Sequence, residues 1–244
     1  MKMFRLTSVL LAAIAIALGC QACGNENDEP QPVLSNALVT CKTAADGTFY
    51  MQLDDKTTLL PVNVTKSPFG DKEVRALTTF AKVDDAHVGY SAAAKVYAVD
   101  SILTKQMAPS TADNAAAYGE DPLEIVRDWV TICEDGYLTL RFRTKWGGTA
   151  THSINLVASG NADNPYEVEL RQDAKGDTQG VIGDALVAFN LSSLPDTNGK
   201  TVKLKIKWKS YSGDKSVEFD YCSRTSGGSA DVPVTDLDNN KRLE

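Results

Sequence analysis

The sequence predicts an all-β protein in two domains, the second of them a β-sandwich. Three observations carry that expectation. From residue 36 onward the apolar residues fall in short runs separated by turn residues, and no long stretch repeats with helical spacing. In the second half seven such runs recur at roughly 10-residue intervals, the rhythm of a sandwich. Between the halves lies Ala108–Pro122, small, polar and rich in turn formers, which reads as a linker or a loose short helix. A chain of 244 residues can bury two cores without disulfide staples. With 43% hydrophobic and 23% charged residues it falls outside the disordered and multi-span membrane classes.

The first residues read as an address. Lys2 and Arg5 precede the apolar run Val9–Leu18. That length suits a signal-peptide core and falls short of the ~20 residues that span a bilayer. Gly19-Cys20-Gln21-Ala22-Cys23 follows, then the acidic stretch Asn25-Glu26-Asn27-Asp28-Glu29. A small residue before a Cys at such a place resembles the lipobox of bacterial lipoproteins, whose Cys is acylated and becomes the new N-terminus. Cys23, after Ala22, is the favoured lipidation site and Cys20, after Gly19, the alternative. Neither has the Leu three residues upstream that the strict pattern prefers, since Ala17 and Cys20 stand there. The acidic stretch resembles the surface-export signal of lipoproteins in Bacteroidetes-type bacteria. Residues 1–22 are therefore expected to be a signal peptide and 23–34 an acidic tether. The expected location is the outer membrane, lipid-anchored and exposed on the cell surface. Cys20-x-x-Cys23 has redox spacing, but it lies at the cleavage site rather than on a helix after a strand.

Cleavage leaves 23 basic and 32 acidic residues, a net charge of −9. Residues 24–121 carry −6 of it and residues 122–225 only −1, a first hint of two domains. A pI near 5.0 argues against nucleic acid and anionic membrane surfaces as partners.

In the first half, runs Asn36–Thr43 and Thr48–Leu53 flank Ala45-Asp46-Gly47, a hairpin signal because Gly accepts the positive φ of such turns. Thr58–Val64, Glu73–Val83 and Tyr90–Val99 follow, with Ser101–Thr104 as a continuation. In the second half, Ile125–Cys133 and Tyr137–Trp146 flank Glu134-Asp135-Gly136. Thr151–Val157, Tyr166–Arg171 and Ala185–Leu191 come next, and Asn198-Gly199 is the strongest type I′ signal in the chain. Thr201–Lys209 and Ser216–Cys222 close the domain, and residues 226–244 read as a flexible tail.

Alternation in the last pair sets its geometry. Leu204, Ile206 and Trp208 alternate with lysines, and Val217, Phe219 and Tyr221 with Glu218 and Asp220. Opposed residues share a face, so their numbers sum to an odd value. Pairing Ile206 with Phe219 also sets Lys207 against Glu218 and Lys205 against Asp220. The lysine stripe then reads as a solvated, ion-paired face rather than an anion-binding one.

Catalytic chemistry finds little material. No G-x-S-x-G occurs, and His152 sits within a strand run, where a cross-strand polar role is the ordinary one. Cys41, Cys133 and Cys222 are solitary, so no zinc set forms. Cys133 and Cys222 are candidates to pair in an exported protein, although alternation points Cys222 away from Phe219 and Tyr221. Asp84-Asp85-x-His87 offers cation ligands but reads as a charged turn. Asp236-x-Asp238-x-Asn240 begins like a calcium loop, yet Lys241 replaces its Gly and the chain ends before the bidentate Glu. No enzyme activity, metal or cofactor is expected. Among the aromatics, Trp129 and Trp208 fit the core pattern. Trp146, beside Gly147-Gly148 at a hairpin end, is the candidate ligand contact, with core or rim packing as its alternative.

Several stretches together resemble the NigD-like family of lipoproteins. They are Pro122–Gly148, His152–Val157, Pro165–Arg171, Val187–Pro195 and Lys203–Lys209 running on to Phe219-Asp220-Tyr221. The resemblance implies an OB-like β-barrel over residues 35–107, a linker over 108–121 and an antiparallel β-sandwich over 122–225. It brings no catalytic residues. The family's association with a bacteriocin locus implies an immunity role as the alternative to a non-catalytic binding role for a protein or glycan ligand. An OB-like barrel also suggests nucleic acid, but the acidic first half opposes it. If the bacterial group is right, Asp100-Ser101-Ile102 resembles its O-glycosylation sequon, with Ser101 the acceptor. A buried strand position is the alternative for Ser101.

Overall fold

The computed structural model describes residues 32–148 and 150–224. Cys20, Cys23, the signal peptide, most of the tether and the tail lie outside the described residues. Strands β1 (Ser35–Thr43), β2 (Phe49–Gln52), β3 (Thr58–Pro61), β4 (Val74–Val83) and β5 (Ala92–Ser101) close into a barrel in the order β1-β2-β3-β5-β4. The β1–β2 turn forms where the sequence places it. Ala44 N–H donates to the Thr48 carbonyl at 2.9 Å, and Gly47 takes φ 88°. Alternation along β1, β2, β3 and β4 turns Val39, Cys41, Phe49, Met51, Leu59, Ala76 and Phe80 inward as one buried cluster.

The expected third run, Thr58–Val64, stops at Pro61. Past it, the Asn63 amide bonds both backbone groups of Val96 at 2.8 Å, standing in for the missing strand. The β4–β5 register shifts between Thr79 and Phe80, so Tyr97 is an extra residue that the bulge pushes outward.

Leu103–Gln106 (β6) lies within the range expected for the barrel domain. It continues no barrel strand and pairs in parallel with Val187–Asn190 of the second domain. The linker holds the short helix α1 (Asn114–Tyr118), capped by Asp113, whose carboxylate accepts from Ala116 N–H at 3.0 Å. The remaining strands are β7 (Glu124–Val126), β8 (Ile132–Glu134), β9 (Tyr137–Trp146), β10 (Ser153–Ala158), β11 (Glu167–Asp173), β12 (Val181–Asn190), β13 (Val202–Ser210) and β14 (Gly213–Tyr221). They form two facing sheets, β10-β11-β13-β14 and β6-β12-β9-β7, with β8 also on β9. Leu138, Leu140, Phe142, Leu156, Val168, Phe189, Leu204 and Ile206 fill the space between. Most pairings are antiparallel; β11–β13 and β6–β12 run parallel.

The single run expected over Ile125–Cys133 is two short strands. Val126 opposes Arg141 and Ile132 opposes Thr139, so five residues loop out across from Leu140 alone. Asp128 makes the loop: its carboxylate takes the Val130 N–H at 3.2 Å and the Arg141 guanidinium at 2.9 Å. Asn198-Gly199 does turn with two positive φ angles, 51° and 73°. It does not close a hairpin, because β12 and β13 belong to opposite sheets.

The last hairpin keeps the expected faces and corrects the register by two residues. Leu204 opposes Phe219 and Ile206 opposes Val217, while Lys205 faces Glu218 and Lys203 faces Asp220. Ser210 and Gly213 close a two-residue loop, where the expected pairing needed Tyr211 to oppose Asp214. The loop is thus Tyr211-Ser212 rather than Ser212-Gly213; Gly213, at φ 109°, closes it, and the Tyr211 hydroxyl pins it by accepting the Lys145 N–H at 3.1 Å.

The barrel lies against the outer face of the β12–β9 sheet. Leu38 and Ile102 meet Ala188, with Leu77, Trp129, Ile132 and Leu186 packed around them. The five-residue loop thus delivers Trp129 to this seam rather than to the sandwich core.

Candidate functional site

Beside that apolar seam is a buried ionic network. Asp135 and Gly136 form the β8–β9 turn with φ 48° and 69°, a geometry that favours Asp and Gly. The turn projects the Asp135 carboxylate at the barrel. It meets Lys42 Nζ of β1 at 2.8 Å and Arg224 Nη2 at 2.9 Å. Arg224 in turn meets Glu73 at 2.7 Å, and the Tyr137 hydroxyl donates to the same carboxylate at 3.1 Å. Next to it, Arg75 of β4 is fully buried. It donates to Glu134 at 2.7 Å, to the Thr40 hydroxyl at 3.0 Å and to the Thr139 hydroxyl at 3.2 Å. Burial pulls Lys42 below the usual lysine range, opposed by the attraction of Asp135. These charges bridge barrel and sandwich, and each carries its counter-charge within the seam. Sequence reasoning singled out none of them as a site, because each is an ordinary alternating polar residue until the two domains meet.

An open groove of about 520 Å³ lies at one end of the barrel, between the β1–β2 turn and the β4–β5 loop. Phe49, Leu60, Val62 and Val64 give its lining an apolar part, and its only charged lining residues are Asp46 and Asp85. Asp46 accepts the Thr48 N–H at 2.9 Å, and that bond, with the Thr48 hydroxyl, holds its carboxyl below the usual range. Asp85 accepts the Ala86 N–H at 2.7 Å. The Asp84-Asp85-x-His87 motif is thus the charged turn beside this groove, with His87 Nδ1 bonded to the Asp85 carbonyl at 2.8 Å. Among the described residues no group of three metal-ligating side chains converges.

At the far end of the sandwich, Trp146 is half-buried against the core, and its indole N–H donates to the Gly183 carbonyl at 3.1 Å. Its ring stacks on His152 with centroids 4.2 Å apart and 19° between planes. His152 Nε2 faces Asp177 at 3.4 Å and Nδ1 faces the Gln172 amide at 3.1 Å, while Asp177 also accepts the Gly147 and Gly148 N–H groups. This cluster fixes the loop after β9. Ser101, at the exposed end of β5, stands clear of both cores.

The lysine stripe is ion-paired along its length, with partners differing from those expected. Glu167 of β11 takes Lys205 at 2.9 Å and Lys207 at 3.5 Å, while Lys203 meets Asp220 at 2.6 Å and Lys209 meets Asp214 at 3.3 Å. Hydrogen bonding from Lys205 leads the causes that hold the Glu167 carboxyl down to about 2. Cys41, Cys133 and Cys222 are free thiols, Cys133 and Cys222 unpaired with one another. The acidic imbalance expected to mark the first domain belongs to its flanks. Residues 33–102 hold seven basic and eight acidic side chains.

The fold defines a two-domain β protein, a closed five-stranded barrel seated on a sandwich. Residues 38–102 match the NigD-like N-terminal OB domain and residues 106–221 the NigD-like C-terminal beta sandwich domain. The chain belongs to the NigD-like family. Its crystal-structure relatives include a Parabacteroides distasonis ATCC 8503 protein provisionally designated toxin-related. That protein is 37% identical, with 78% of this chain and 94% of that one covered at a TM-score of 0.66. A NigD-like immunity protein from Bacteroides caccae ATCC 43185 is 20% identical, covering 78% and 98% at a TM-score of 0.55. A Bacteroides fragilis NCTC 9343 protein provisionally designated a lipoprotein is 10% identical, covering 79% and 100% at a TM-score of 0.51. The last two share the fold. No curated protein sequence matches the chain.

Proposed function

We propose that this chain is an envelope-anchored lipoprotein with a non-catalytic binding role, presented on the outer surface of the outer membrane. The observation that supports the binding role is the barrel groove, of mixed lining and with two carboxylates at its rim. The buried ionisable groups at the seam favour a scaffold over a catalyst, because their charges are committed to holding two domains together. The anchor rests on the sequence Ala22-Cys23 after a signal-peptide core, with Cys20 the alternative, and on the lipoprotein designation of the Bacteroides fragilis relative. Among the described residues no helix is long and apolar enough to cross a membrane. Ser101 is exposed as a glycan acceptor must be. The experiment is protease shaving of intact cells, with mass spectrometry of released peptides and of the N-terminal fragment. Release of sandwich peptides together with acyl mass on Cys23 is expected. An unmodified N-terminus would refute the anchor, and protection until the outer membrane is lysed would refute surface exposure.

A second reading is self-protection against a secreted toxin. It is favoured by the immunity and toxin-related designations of two relatives. A deletion strain that becomes sensitive to culture supernatant of its parent would establish it, and unchanged survival would remove it.

A further inference from the structure

Five-stranded barrels of this topology take ligands between the loop joining strands 1 and 2 and the loop joining strands 4 and 5. Those bound to nucleic acid line the place with basic and stacking side chains. The same place in this barrel is the groove described above, and it is lined with the opposite charge. Asp46 stands on the first loop and Asp85 on the second, with no basic residue in the lining. Neither carboxylate is in an ion pair among the described residues, whereas the seam and the lysine stripe neutralise theirs internally. Each spends one oxygen on a backbone N–H of its own turn, which fixes the carboxylate without discharging it.

The groove between the rims is of mixed polarity, with Leu60, Val62 and Val64 as its apolar part. Val62 is 38% exposed there, and Val88, in the second loop, is 95% exposed. Tyr90, from the same loop, packs its ring 5.5 Å from that of Tyr50. A groove of mixed lining, with Val62 and Val64 between two carboxylates, matches one chemistry well. A lysine or arginine side chain lays its alkyl stem on the valines, sets its charge against a carboxylate, and brings apolar neighbours along.

We propose that the barrel groove between residues 44–48 and 84–90 binds a short cationic peptide segment, with Asp46 and Asp85 receiving its charges and Val62 and Val64 its apolar side chains. This rests on the binding role proposed above and names the partner's chemistry. The volume, about 520 Å³, is that of an ordinary ligand site.

The test is an NMR titration of the full mature chain, carrying Ser in place of the acylated Cys. The probe is a synthetic octapeptide alternating Arg and Leu, against a Glu–Leu octapeptide and an eight-nucleotide oligothymidylate. The expected result is amide shifts centred on Gly47, Val62, Val64 and Ala86 with the Arg–Leu peptide only, weakening as salt is raised. Exposed charge pairs each contribute at most about fivefold in affinity. The double substitution Asp46→Asn and Asp85→Asn should therefore weaken binding by about three- to tenfold while leaving the thermal midpoint in place. Val64→Asp, which puts a charge into the groove, should abolish the groove shifts if the chain folds, and the asparagine pair serves if it does not. No shifts at millimolar peptide, shifts centred outside the groove, equal binding of the acidic peptide or the oligonucleotide, or affinity indifferent to the asparagine pair would each overturn the assignment. Any of these would leave the acyl mass on Cys23 and its surface release untouched, so failure here removes the cationic-peptide assignment while the surface-anchor reading stands or falls on its own test.

Discussion

Replacing Glu134 with Gln removes one charge from the seam and almost nothing of its shape. Its partner Arg75 is fully buried, with two threonine hydroxyls as its other side-chain hydrogen-bond partners. The guanidinium would keep its geometry and lose its counter-charge inside the protein. Breaking a buried pair in this way costs about 3–5 kcal/mol, most of it the uncompensated charge. For a folded body of this size each kcal/mol moves the thermal midpoint by about 2–4 °C. The expected fall is therefore roughly 6–20 °C, from the product of those ranges. Urea unfolding of the mature chain followed by circular dichroism gives the same quantity as a midpoint shift at constant slope. The double replacement Arg75→Met with Glu134→Leu should recover most of the loss, because an apolar pair of similar volume needs no desolvated charge. Since the seam joins barrel and sandwich through both this pair and the Leu38–Ile102–Ala188 contact, the parent should unfold in one transition. A Glu134→Gln loss below about 1 kcal/mol would refute the reasoning, since it would place the pair in the range of exposed ion pairs.

Three further outcomes follow from local geometry. In Gly183→Ala the new Cβ would sit 2.7 Å from Trp146 Cδ1, and the His152 ring stacked on that indole leaves it little freedom. The expected loss is about 1–3 kcal/mol with a changed tryptophan emission, and an unchanged spectrum would count against the packed Trp146–His152 stack. Glu167 and Asp184 both have carboxyls depressed to about 2, led by Lys205 and by Arg143 respectively, so their contribution is complete above their ordinary values of 4.5 and 3.8 and is lost as pH falls toward 2. The urea midpoint should drop across that window, and Glu167→Gln should flatten the drop. Burial pushes the Cys41 thiol up to about 12 and raises Cys133 as well, so native protein should leave both unalkylated at pH 8 while urea exposes them, as peptide mass mapping would show.

Local pattern carried much of the architecture. Alternation placed the inward faces of β13 and β14, because a two-residue period leaves only one choice of buried side. It could fix the parity of the β13–β14 register but not its value, since registers two residues apart bury the same faces. Both registers close on two residues, so what separates them is where the turn falls, and Gly213 sets that by closing the loop opposite Ser210 with a positive φ. The Asp128 loop was invisible for a related reason. Ile125, Val130 and Ile132 look like one apolar run, and only the side chain of Arg141, across the sheet, marks where the strand breaks. Leu103–Gln106 reads as strand wherever it pairs, and its partner Val187–Asn190 lies beyond any local window.

The seam shows the same limit in its sharpest form. Glu134-Asp135-Gly136 was legible as a turn, because two positive φ angles in succession select Asp and Gly. That requirement accounts for an Asp at 135 without any further role. Its carboxylate nevertheless reaches Lys42, 93 residues away in the chain, and Arg224, 89 away on the other side. Lys42 occupies an outward position at the end of β1, where an exposed lysine is the ordinary expectation, and it is buried only because a second domain covers it. Arg75 follows the same course on β4. What converts these surface residues into a buried network is the docking of barrel on sandwich, and docking is a property of two folded faces together. The groove differs in kind: Asp46 and Asp85 owe their place to two turns that the sequence does announce, and the barrel's closure alone brings those turns to one end. A groove formed by loop ends of one domain was therefore within reach of the sequence, whose turn residues Asp46-Gly47 and Asp84-Asp85 mark both loops, whereas the lock between domains was not.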